Sequence, residues 1–176
     1  MDLRALTRGP LPERIALAAR ADARGEWLLL LAGDETTPVR LAAAANPRAP
    51  RQADQILARD PAIQVRQAIA DTLADQRHAP HDLVLEMARD AEPAVNEPLI
   101  RLSQVLTEAD LLGLVLAPPG PETRCAVARR LHMDTILAEA LIMSRDRLAM
   151  TALCRSPSAR ISPCLRCELE ASASTR

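Results

Sequence analysis

Aromatic side chains are nearly missing from this 176-residue chain, which has no Phe, no Tyr and a single Trp, Trp27. A compact core of that size normally uses large rings to fill its volume. A stack of thin helical layers does not need them, because small side chains let helices approach closely. Lysine is missing altogether, and all 22 cations are Arg. That removes a Lys Schiff base, a Lys general base and the phosphate-binding Gly-rich loop that ends in Lys. The 23 acidic residues bring the formal net charge to −1, without the basic footprint of a nucleic-acid binder, so no nucleic acid is expected as a partner. Long apolar runs are missing too: the longest, Trp27 to Ala32, is far below membrane-spanning length. The first residues, Met1-Asp2-Leu3-Arg4, have neither the apolar centre nor the cleavage site of a secretory signal. A cytoplasmic protein with no membrane partner is expected, its four cysteines reduced.

What is present is a repeat. Asp60-Pro61-Ala62-Ile63-Gln64-Val65-Arg66-Gln67-Ala68-Ile69-Ala70 carries an apolar stripe at helical spacing, with Asp60 placed as N-cap and Pro61 as first helical residue. The pattern returns around Val39-Arg40-Leu41, Val95-Asn96-Glu97, Thr123-Arg124-Cys125 and Arg147-Leu148-Ala149. Successive Arg or Asn positions lie 26, 30, 28 and 23 residues apart. A self-similar period of that size signals a solenoid. The expected architecture is all-α: a right-handed α-solenoid of stacked antiparallel helix pairs, with HEAT-like repeats of about 23–30 residues. Residues 1–33 form N-terminal capping helices, 34–163 the repeat array, and 164–176 an irregular, frayed tail.

Along the chain, Gly25 breaks the first helix, and Gly33 stops a short second one at Trp27 to Ala32. Pro98, inside a stripe, should shorten or kink its helix. Thr107 and Asp110 have the spacing of a capping box. Ala117-Pro118-Pro119-Gly120-Pro121 marks the sharpest break, read as a turn between repeats.

The Asp-x-x-x-x-Val-Arg-x-Ala units and Asn46-Pro47-Arg48-Ala49-Pro50 resemble HEAT-like repeats, and more closely the leucine-rich repeat variant. The run from Val95 to Leu111 is similar to the signature of a bacterial family of unknown function with the same architecture. So are Leu137 to Ile142 and Ser156 to Ser162; the resemblance spans roughly residues 30–163. It implies an all-α superhelix without catalytic residues and supplies no ligand.

Two groups of residues are candidate sites. Arg40, Arg66 and Arg124 occupy equivalent repeat positions and would lie one above another. With Asp34, Asp60 and Asp90 repeating alongside, they read either as inter-repeat Asp–Arg hydrogen bonds or as a stripe for an anion or acidic peptide. Asn96 interrupts such a stripe. Cys154, Cys164 and Cys167, the last two a C-x2-C pair, are candidate metal ligands; Cys125 and Cys154 also fall within apolar stripes, where Cys behaves as a small core residue. His78 and His81 span a turn around Pro80 and read as loop polar groups rather than a metal pair. No nucleophile–base pair is visible at Ser103, Ser144 or Ser156, so neither an enzyme nor a cofactor is expected. The functional expectation is a non-enzymatic scaffold or adaptor for another protein, with homodimerisation through the C-terminal end layer. The alternative is a metal- or redox-linked regulator built on the C-terminal cysteines.

Overall fold

The structure, a computed structural model, describes residues 8–156. Among these it has eleven α-helices and no strands. They are α1 (Leu11–Ala18), α2 (Gly25–Leu31), α3 (Thr37–Ala44), α4 (Arg51–Leu57), α5 (Ile63–Ala74) and α6 (His81–Ala88), then α7 (Pro93–Leu102), α8 (Glu108–Leu116), α9 (Thr123–Ala128), α10 (Thr135–Met143) and α11 (Arg147–Arg155).

Helices of six to twelve residues are too short to hold their shape alone in water. Packing holds them, in a regular order. Each odd-numbered helix packs on the next odd-numbered one, from α1 through to α11. Helices α2, α4, α6 and α10 each lie against both neighbours in sequence and α8 against α9, and α2 also packs on α4 and α8 on α10. The contact faces are those of the apolar stripes. In α5, Val65, Ile69, Ala70, Leu73 and Ala74 are buried, and in α7 Val95, Leu99 and Ile100 are buried. Alanines at the crossings, among them Ala18, Ala43, Ala44, Ala70 and Ala88, are almost fully enclosed, which shows how the core closes without large rings. Trp27 is only partly buried; it packs on the core while the Arg24 guanidinium lies 5.5 Å from its ring centre.

Proline starts many of these helices. Pro10, Pro50 and Pro80 are the residues before α1, α4 and α6, and Pro38 and Pro93 lie in the first turns of α3 and α7. There a fixed φ helps and the missing N–H costs nothing. Pro98, expected to shorten or kink its helix, lies inside α7, which runs through it to Leu102. An internal proline costs about 3 kcal/mol. Full burial of Leu99 and Ile100 returns about 1.5–3 kcal/mol each, enough to carry the helix past it. Gly25 likewise opens α2 instead of standing outside it. The Pro-rich break before α9 is a turn whose Gly120 approaches the Ala91 carbonyl so closely that a Cβ would lie 3.1 Å from that oxygen. No helix of the described residues is long and apolar enough to cross a membrane.

Candidate functional site

The most ordered polar feature runs along the odd-numbered helices. Asp34, Asp60 and Asp90 each stand two residues before a helix N-cap and accept its N–H, from Thr36, Ala62 and Glu92, all at 2.9 Å. This corrects the reading of Asp60 as N-cap and Pro61 as first helical residue: α5 begins at Ile63, with Ala62 as its cap. The aspartate makes a local turn with one oxygen, which leaves the other for a neighbouring helix.

That oxygen meets an arginine. Arg40 in α3 donates from Nε to Asp60 Oδ2 at 2.5 Å and from Nη2 to Asp60 Oδ1 at 3.1 Å, and its Nη1 reaches back to the Asp34 carbonyl at 2.8 Å. Arg66 in α5 repeats this geometry, donating from Nε to Asp90 Oδ2 and from Nη1 to the Asp60 carbonyl, both at 2.7 Å. Asn96 in α7 keeps only the backward bond, to the Asp90 carbonyl at 2.7 Å. An amide is too short to span to the next layer. Arg124 resumes differently: its Nε donates to the Val115 carbonyl at 2.9 Å, and its Nη1 lies 3.8 Å from Asp146 Oδ2. The side chains of Arg40, Arg66 and Arg124 are 14%, 17% and 25% exposed. Arg147 is outside this register, at the start of α11 beside its N-cap Asp146.

The electrostatics follow the geometry. Burial pushes the Asp34 and Asp60 carboxyls up, yet both end below the usual carboxylate range. The Thr36 hydroxyl and amide and the Arg14 guanidinium outweigh burial at Asp34; Arg40 and the Ala62 amide do so at Asp60. The Arg40 guanidinium is raised in turn by its bond to Asp60. Asp54, half-buried on α4, contrasts with them: burial raises its carboxyl to about 6.

Sequence reasoning missed three polar features. Arg14 in α1 pairs through Nη1 with Asp34, twenty residues on, the same interval as Arg40 to Asp60. That interval was the available signal. Asn46, 4% exposed, donates to the carbonyls of Ala18 at 2.7 Å and Arg20 at 2.9 Å and accepts the Arg48 N–H at 3.0 Å, clasping two turns together. Arg130 does the same after α9, donating to the carbonyls of Ile100 and Ser103. The Thr107–Asp110 capping box closes in full, and His81 Nε2 lies 2.8 Å from Asp110 Oδ2, so this histidine joins α6 to α8. On the exposed face Arg51 pairs with Asp82 and Arg59 with Glu86, joining α4 to α6.

Cys125 is buried in α9, where burial pushes its thiol up, and Cys154 packs against the core from α11. Cys164 and Cys167 lie outside the described residues, as does the 164–176 tail. Among the described residues, no three His, Cys, Asp or Glu side chains gather into a metal-binding group.

A cleft of about 540 Å³ opens where the last turn of α7, the end of α9 and α11 meet. Four arginines line it: Arg101, Arg129, Arg130 and Arg155. Nothing in the spacing of these residues announces it, since they come from α7, the segment just after α9, and α11.

No curated protein and no solved structure matches the chain. Residues 95–165, from α7 onward, match a family described as an uncharacterised protein conserved in bacteria (DUF2336). That stretch of the chain, all-helical where it is described and including the arginine-lined cleft, is thus similar to an uncharacterised bacterial family.

Proposed function

We propose that the chain is a right-handed α-solenoid of HEAT-like repeats that works as a non-enzymatic, cytoplasmic adaptor, binding protein partners through its C-terminal part. The layered packing of odd-numbered helices, tied by Asp–Arg pairs, supports the solenoid reading. One observation carries the binding reading. Leu116, Leu131, Ile136, Met143 and Leu148 are each at least 60% exposed, whereas among the described residues up to position 102 no large apolar side chain exceeds 49%. Large apolar side chains left this exposed favour a covering partner.

A second copy of the chain is the first partner proposed, docking end to end. Sedimentation velocity over a wide concentration range tests it. A shift from monomer to dimer, abolished by Ile136→Glu with Met143→Glu, is the expected result. A clean monomer at high concentration counts against it.

A further inference from the structure

We propose that the cleft between α7, α9 and α11 is a binding site for a small organic phosphate: a phosphate monoester carried on an apolar body. Four guanidiniums, from Arg101, Arg129, Arg130 and Arg155, line it, and among the described residues no carboxylate does. Among the described residues, Glu97 is paired with two of them, accepting from Arg129 at 3.2 Å and Arg101 at 3.4 Å. Both arginines are about half exposed, at 54% and 45% of their side chains. Exposed pairs of that kind are weak, so a dianion can draw either fork away. Arg130 borders the cleft and donates to the Ile100 and Ser103 carbonyls, so the forks offered to a ligand are those of Arg101, Arg129 and Arg155.

The choice of phosphate follows from the number and origin of the forks. One guanidinium satisfies a carboxylate, whereas the terminal oxygens of a phosphate monoester can accept from two or three arginines arriving from separate helices. The choice of an organic body follows from size and lining. A volume of about 540 Å³ suits a small organic molecule and far exceeds a bare phosphate, and Leu131 and Leu148 line the remainder. These two leucines are also among the exposed apolar residues named above. The substitutions testing the two proposals do not overlap, so either can fail while the other stands.

The test is fluorescence titration of the full 176-residue chain with 1-naphthyl phosphate, with 1-naphthoate and inorganic phosphate as comparisons. The ester is expected to bind about tenfold more tightly than either, and more weakly as salt rises. Arg129→Gln with Arg155→Gln, both at exposed positions, should weaken the ester about tenfold while circular dichroism stays unchanged. Equal affinity for ester and carboxylate overturns the phosphate assignment. Inorganic phosphate binding as tightly as the ester overturns the organic body. Absence of binding, or full affinity in the double variant, overturns the site.

Discussion

Asp60→Ala should be among the most damaging single changes outside the apolar core. The carboxylate is 4% exposed and holds Arg40 at 2.5 and 3.1 Å while accepting the Ala62 N–H at 2.9 Å. Its removal leaves the Arg40 guanidinium, 14% exposed, with only the Asp34 carbonyl and a long contact to the Thr37 hydroxyl at 3.4 Å. Stranding one partner of a buried pair costs about 3–5 kcal/mol, a large part of a total stability of about 5–15 kcal/mol. Asp60→Asn keeps an acceptor for Ala62 and should cost less, about 1–3 kcal/mol. Replacing both partners, Arg40→Met with Asp60→Leu, should recover much of the loss, since no buried charge is then stranded. Urea unfolding followed by circular dichroism at neutral pH measures all of these, and an unchanged slope shows that the native state was altered. Because the folded Asp60 carboxyl sits below its ordinary range, its contribution is present above the unfolded pKa and lost as pH falls through the folded one. Asp60→Asn should flatten that acid limb. If Asp60→Ala costs no more than Asp82→Ala, whose pair with Arg51 is exposed on both sides, the reasoning about burial is refuted.

Asp54 should behave in the opposite sense. Its carboxyl, raised by burial to about 6, is ionised at pH 7.5 in both folded and unfolded chains, so the burial penalty is fully present above pH 6 and vanishes below about pH 4. Asp54→Asn should therefore stabilise the protein at pH 7.5 by about 2 kcal/mol, after allowing for partial solvent screening, and make little difference at pH 4; paired urea curves at the two pH values check it. Thr107→Ala opens the capping box of α8 and should cost about 1 kcal/mol, read in the same assay.

The apolar stripes and the Asp–Arg recurrence were legible because both depend on spacing along the chain. A stripe read at helical period places Val65, Ala68, Ile69 and Leu73 inside; three of them are buried and Ala68 is partly buried against the core. The helix boundary at Asp60 was misread because an aspartate two residues before a cap looks, in sequence, like the cap itself; a neighbouring Arg on another helix decides between them. Arg14 carries no such Val-Arg signal, because Glu13 precedes it where the other units have Val39, Val65 or Val95. Asn46 and Arg130 bind backbone carbonyls 26 to 30 residues away, and a carbonyl has no sequence signature. The cleft arginines converge only once α7, α9 and α11 have packed.

The lone indole at residue 27 has a practical outcome. Its emission originates in α2, near one extremity of the row of layers, so it reports locally, while the circular dichroism signal averages over every turn of helix. Coincident melting by the two optical probes would mean that the layers come apart together. An early change in emission would show that the row unravels from the α2 side first.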